Sequence, residues 1–188
     1  LMAVLTDLGR AVASTGADVG ACLVAAYAAL SGPRHGAVQI RVLDMLDDAA
    51  TATDVRDWMR RRIASGGRVM GIGHAVYRTV DPRATLLRDV TAVVAPERHR
   101  VAVAVEEAAA ELFAGRRLAP NVDLYAASVL EACGIPAALF TATFAVARIV
   151  GWCAHVLEQA QDQRVIRPAA YYVGPPPRRN DPRSPRER

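Results

Sequence analysis

No stretch of this sequence alternates apolar and polar residues for more than five positions, too short a run to make a half-buried β-strand against the helical pattern around it. What recurs is the 3.6-residue helical period, cut at intervals by glycine and proline. The chain is therefore expected to be all-α. Leu1 to Gly16 reads as a weak helix that starts with no cap and no leader, like the middle of a larger protein. Asp18 is a good N-cap for an Ala-rich helix to about Leu30, closed by Gly32-Pro33. A helix from about Ala37 to Ala50 carries Val38, Val42, Leu43, Met45 and Leu46 along one side. Thr53 is expected to cap the next, which runs to about Ala64 and ends in Arg60-Arg61-Arg62, a solvated end that suits the helix dipole.

Proline opens the following two helices, Pro82 to about Val94 and Pro96 to Phe113, the second with Glu106, Glu107 and Glu111 outward. Asn121 or Asp123 starts a shorter helix to Cys133, with Gly134 at its end. Ile135 to Leu157 is long and apolar enough to raise the question of a membrane span. Pro136, Arg148, His155 and Glu158 argue instead for a buried core helix, over roughly Phe140 to Gln159. An extended arm with Arg164, Arg167, Tyr171 and Tyr172 follows, and then a Pro- and Arg-rich tail, 175–188, expected to be disordered in isolation.

Charge and cysteine usage exclude more than they assert. The net charge of +4 in 188 residues is concentrated in the tail, where five arginines face only Asp181 and Glu187. The body is close to neutral, and no basic helix face points to nucleic acid. Cys22, Cys133 and Cys153 are odd in number and set among apolar neighbours, which reads as buried thiols in a reducing cytoplasm. No His, Cys or carboxylate group has metal-ligand spacing.

The chemistry gathers at loops. Gly71-Ile72-Gly73-His74 runs on to Arg78, then Asp81-Pro82-Arg83, with no helical or strand period of its own. Glycines let a backbone approach a ligand closely, and a His with two arginines on such a loop suits an anion. His35, in Gly32-Pro33-Arg34-His35-Gly36, precedes a helix N-terminus, where the dipole disfavours imidazolium. It either caps that helix or donates a hydrogen bond to a developing oxyanion; spacing alone leaves the two equal. For Asp123, spacing favours N-capping over a general-base role. His99 reads as solvated and His155 as a satisfied core histidine.

Taken in order, Gly32-Pro33-Arg34-His35-Gly36, Gly71-Ile72-Gly73-His74-Ala75-Val76-Tyr77-Arg78, Asp81-Pro82-Arg83 and Asn121-Val122-Asp123-Leu124-Tyr125 resemble citrate synthase. Gly134-Ile135-Pro136, Phe144 to Arg148 with Gly151-Trp152, and Arg164-Val165-Ile166-Arg167-Pro168 extend the resemblance to about Gly174. It implies an all-α enzyme that deprotonates the methyl group of acetyl-CoA and condenses it with oxaloacetate, with no further cofactor. Asp123 would be the base, His35 would stabilise the enolate, and His74 would polarise the oxaloacetate carbonyl. Arg83, Arg148 and Arg167 would hold carboxylates, the last reaching the neighbouring subunit of a homodimer. Arg68, Gly71, Ile72, Gly73 and Arg78 would lie against CoA. The implied layout is a large-domain segment at 1–35, a small domain at 36–134, and a large-domain helix and arm at 135–174. A further oxaloacetate-binding histidine of the family would fall before Leu1, and Gly36-Ala37-Val38-Gln39 replaces the common Gly-Gly-Ala-Asn. Two alternatives stay open: a non-catalytic module that binds CoA or a subunit, and a 2-methylcitrate synthase using propionyl-CoA.

Overall fold

The computed structural model describes residues 2–32, 36, 38–74, 80–116, 118–162, 164–171 and 173–174. Its helices are α1 (Met2–Ala13), α2 (Val19–Leu30), α3 (Val38–Ala50), α4 (Val55–Ala64), α5 (Pro82–Val94), α6 (Pro96–Leu112), α7 (Val122–Ala132) and α8 (Phe140–Gln161), the last preceded by one 3₁₀ turn, Ala137–Leu139. Among the described residues there is no strand, only an isolated antiparallel bridge between Ile72 and Pro120. The chain is all-α, as its period implied.

Caps set most of the starts. Asp18 accepts the amide of Ala21 at 3.0 Å to begin α2. Asp54, not Thr53, caps α4 by accepting the amides of Arg56 and Asp57; a carboxylate takes two orphan donors where one hydroxyl would take one. Pro82 and Pro96 occupy the first turns of α5 and α6, where the missing N–H costs nothing.

The helices pack in two groups. Helices α3 to α7 enclose the larger core, built on Val42, Met45, Leu46, Met59, Val105, Leu124 and Tyr125, with Phe140 from the start of α8 inserted into it. Helices α1, α2 and α8 share a smaller one made of Leu5, Ala26, Leu30, Ala145 and Trp152, continued by Ala13, Cys22 and Val156. Gly9 of α1 faces α2 here, and a Cβ added to it would reach ordinary contact with the Cys22 carbonyl at 3.5 Å and Ala26 Cβ at 3.7 Å.

Several expectations need correction. Helix α8 is not wholly buried. Phe140, Ala145, Trp152, Val156 and Gln159 form its buried stripe, while Val146, Val150 and Leu157 are 60% exposed or more. The segment Ala137–Gln161 is long and apolar enough to cross a membrane, by length and composition only. Cys22 is buried, but Cys133 is exposed and Cys153 half-buried. Glu106 turns inward to accept a hydrogen bond from the Tyr125 hydroxyl, and Arg88 lies 3.5 Å from it. His99 is half-buried, its ring 6.3 Å from that of Tyr125. His155 is not a core residue; its side chain is 41% exposed, with Nδ1 3.6 Å from Glu158. The tail, 175–188, lies outside the described residues.

Candidate active site

The glycine loop is built to press on the start of α7. Gly71 and Gly73 have φ of +75° and +87°, the left-handed region that favours glycine. A Cβ on Gly71 would lie 2.7 Å from Leu124 Cβ and 2.8 Å from Leu124 Cα, so only glycine lets the two backbones meet. The contact is then stitched by hydrogen bonds. The Gly73 amide donates to the Ala119 carbonyl at 2.7 Å, and the Asn121 amide to the Gly71 carbonyl at 2.8 Å. Asn121 Nδ2 adds a third, to the Gly73 carbonyl at 2.7 Å.

Asn121 also settles how α7 begins. Its Oδ1 accepts the Asp123 amide at 2.9 Å, so it is the N-cap. The capping role that spacing favoured for Asp123 is overturned, and its carboxyl group, in the first turn of α7, is free to face elsewhere. A second carboxylate ties α7 to α5. Asp81 is 1% exposed and caps α5 by accepting the Arg83 amide at 3.0 Å. It also accepts Arg83 Nε at 3.0 Å and Nη2 at 2.9 Å, and the Val122 amide at 3.2 Å. Burial pushes the Asp81 carboxyl up, but the Arg83 guanidinium and these amides outweigh it and hold the group below the ordinary carboxylate range.

Asp123 is shifted the opposite way. Its burial raises its carboxyl above the ordinary value, against the opposing pull of Arg83, the neighbouring Gln39 amide and the nearby His74. The negative Asp81 adds to the upward push. Beside Asp123 opens a small cleft of about 30 Å³, walled otherwise by Leu30, Gly36, Gln39, Thr141 and Phe144. A half-buried carboxylate held at a helix start, beside a cleft and near cationic side chains, has the makings of a general base. A larger open hollow of about 480 Å³ lies away from it, between the end of α3 and the start of α6. Its Arg98 is paired with Asp47 and Glu131, and its Arg100 with Glu97.

The structure thus brings together His74, Arg83 and Asp123, and adds Gln39 and Asp81, which motif reading had not singled out for roles. Asp81 was legible as a cap before Pro82. Gln39 had no signal beyond its departure from the Asn usual there. The remaining residues stand on other elements. Arg148 is half-buried on α8, its guanidinium lying along the helix beside Gly151, where an added Cβ would meet Nη1 at 3.1 Å. Arg148 Nε is buried with no hydrogen-bond partner among the described residues. Arg167 is exposed on the arm, which is fastened to α1 through the Ile166 amide and Ser14 Oγ at 3.0 Å. Arg68 is exposed, and its carbonyl accepts Arg62 Nε at 2.9 Å. His35 and Arg78 lie outside the described residues.

Comparison with known proteins agrees with this fold. Residues 2–169 match the family model described as citrate synthase, C-terminal domain. The citrate synthase of Haloferax volcanii is 40% identical over 167 residues, covering 86% of this chain and 43% of the relative. Among solved structures, citrate synthase from Thermotoga maritima superposes with a TM-score of 0.81 at 38% identity, covering 91% of this chain and 48% of that one. The Thermoplasma acidophilum citrate synthase, solved as a ternary complex with carboxymethyl coenzyme A and oxaloacetate, gives 0.83 at 35% identity, with 95% and 49% covered. The chain spans about half the length of the relatives it matches. By the family match and the fold together, this chain belongs to the citrate synthase family and carries its C-terminal domain.

Proposed function

We propose that this chain forms the catalytic half of a citrate synthase-type acyltransferase, which condenses acetyl-CoA with oxaloacetate to give citrate and CoA. The observation that carries the reading is Asp123: a carboxylate relieved of capping by Asn121, raised by burial and facing a cleft. Burial makes it a stronger base than a solvated carboxylate, which is what removal of a weakly acidic methyl proton demands. The proton passes to Asp123, and the electron pair moves onto the thioester oxygen, where His35 would donate a hydrogen bond. The enolate carbon then attacks the oxaloacetate carbonyl, polarised by His74, and water cleaves the resulting thioester to release CoA.

Arg83, Arg148 and Arg167 are assigned to the carboxylates, for which the guanidinium fork is suited. The Arg148 Nε, buried without a hydrogen-bond partner among the described residues, supports its share of that role. Arg68, Gly71, Ile72, Gly73 and Arg78 are assigned to CoA. The layout of domains at 1–35, 36–134 and 135–174 belongs to the same reading, with closure of one on the other excluding water from the enolate. So do a cytoplasmic location and a homodimer in which Arg167 reaches the neighbouring site.

The test is release of CoA thiol by the purified chain, given acetyl-CoA with and without oxaloacetate. Release that requires oxaloacetate and vanishes in Asp123→Ala supports the assignment. Oxaloacetate-dependent release that persists in Asp123→Ala overturns it. A second reading, a non-catalytic module that docks on another polypeptide, is favoured by the exposed apolar residues of α2 and α8, among them Val24, Tyr27, Val146 and Val150. A folded chain that binds CoA without releasing thiol would support that reading.

A further inference from the structure

Asn121 holds two distant peptide units with one side chain. Its Oδ1 accepts the Asp123 amide at 2.9 Å, which caps α7. Its Nδ2 donates to the Gly73 carbonyl at 2.7 Å, 48 positions earlier in the chain. That amide belongs to the peptide unit on which Asp123 hangs, and that carbonyl to the peptide unit that leads into His74. These partners also fix which way the Asn121 amide faces: turned over, it would set N–H against N–H and oxygen against oxygen. Because Oδ1 and Nδ2 sit on one planar group, the backbones at His74 and Asp123 are held at a single spacing.

The earlier part of the loop is tied elsewhere. The Arg68 carbonyl accepts Arg62 Nε of α4 at 2.9 Å, and the Met70 amide donates to Met45 Sδ of α3 at 3.2 Å. Toward His74 the ties pass to the approach to α7, where the Asn121 amide donates to the Gly71 carbonyl and the Gly73 amide to the Ala119 carbonyl. Those two bonds reach as far as the Gly73 amide, and the Asn121 side chain grips the carbonyl on the other side of that residue. His74 is exposed, so its placement depends on how its backbone is held. Residue type decides the matter. Asn, Asp, Ser, Thr and Gly all serve as N-caps, but of these Asn alone adds a side-chain N–H donor. Capping α7 does not by itself call for Asn at this position; the bond to Gly73 does.

We propose that Asn121 is the positioning residue that sets His74 in register with Asp123, its side-chain amide joining the glycine loop to the start of α7. This rests on the roles given above to His74 and Asp123. It adds to that reading a residue that fixes the spacing of the two groups, where a displacement of about 1 Å costs roughly 100-fold in rate.

The discriminating variant is Asn121→Ser, which keeps an N-cap oxygen of equal rank and removes the donor. Its helical circular dichroism and unfolding midpoint are expected to stay close to those of the wild-type chain. In thiol release from acetyl-CoA with oxaloacetate, kcat should fall roughly 100-fold, with KM for oxaloacetate moving less than about threefold. A kcat within about threefold of wild type in a folded Asn121→Ser chain overturns the proposal. Amide hydrogen exchange followed by NMR needs no turnover. In Asn121→Ser the Gly73 amide should exchange about tenfold faster, while the Asp123 amide, still capped, stays within about threefold of wild type. An unchanged Gly73 amide overturns the proposal. So does an Asp123 amide freed to the same extent, which would make Asn121 a cap and nothing more. Oxaloacetate-dependent release that persists in Asp123→Ala would refute the base assignment and leave these exchange rates as they are, so the two fail separately.

Discussion

Replacing Asp81 by alanine should unfasten α5 from α7, and the structure says roughly how much that is worth. Three losses contribute. The first is the N-cap of α5, the Arg83 amide at 3.0 Å from Asp81 Oδ1, worth about 1 kcal/mol. The second is the acceptor for the Val122 amide at 3.2 Å; stranding that donor at the start of α7 costs about 1–2 kcal/mol. The third is the pair with Arg83, which adds no more than about 1 kcal/mol because the guanidinium is 44% exposed and screened. Together they give about 2–4 kcal/mol, which for a chain of this size lowers the unfolding midpoint on the order of 10 °C. Thermal unfolding followed by circular dichroism at neutral pH measures it. The sign with pH provides a sharper check. Asp81 is held below its ordinary value, so its contribution is present above the unfolded carboxylate value of about 3.9 and is lost as pH falls through the lowered folded value. The gap between wild type and Asp81→Ala should therefore close in acid. A variant within about 0.5 kcal/mol of wild type at neutral pH, or a gap that persists unchanged in acid, would refute this account of how α5 and α7 are joined.

Two further perturbations probe the same site. Gly71→Ala must both adopt φ of +75° and clear Leu124 Cα at 2.8 Å, so it should cost about 3 kcal/mol or more, read as a lowered denaturation midpoint; a loss below about 1 kcal/mol would mean the loop is not pinned to α7. Asp123→Asn should do the reverse at neutral pH. Because burial raises the Asp123 carboxyl, the folded chain loses stability as pH climbs from the ordinary carboxylate value through the raised one. The neutral variant escapes that loss, so it should unfold at a higher temperature than wild type near pH 7, with the difference vanishing in acid; equal midpoints at pH 7 would contradict it.

How much of this was legible in the sequence depends on the range of the interaction that fixes each feature. Helix starts governed by local chemistry read well: Asp18, Pro82 and Pro96 open helices where they were expected to. Where two polar neighbours compete, spacing is not enough. Thr53 against Asp54, and Asp123 against Asn121, are decided by which side chain reaches the second or third amide, a matter of one residue in register. The exposure of single residues read poorly for a different reason. Glu106 and His99 share α6 with outward neighbours, but what turns them partly inward is contact with Tyr125, which comes 19 residues after Glu106. No period within α6 encodes that partner.

The site shows the same division. Its motif residues sit in glycine- and proline-marked turns, and such turns stand out against helical sequence. Its supporting residues do not. Gln39 is an ordinary polar residue in the first turn of a helix until α7 is laid beside it, and Asp81 looks like a cap and nothing more until the Val122 amide arrives from 41 positions away. Both bring elements distant in sequence beside Asp123, α3 in one case and the start of α5 in the other. A catalytic carboxylate must be fixed to within a fraction of an ångström to act as a base, and one helix turn held only by its own cap does not supply that constraint. The glycine loop, Asp81 and Gln39 approach the start of α7 from three sides. Asp123 therefore takes its position from the tertiary packing around the start of α7, and not from the local sequence that surrounds it.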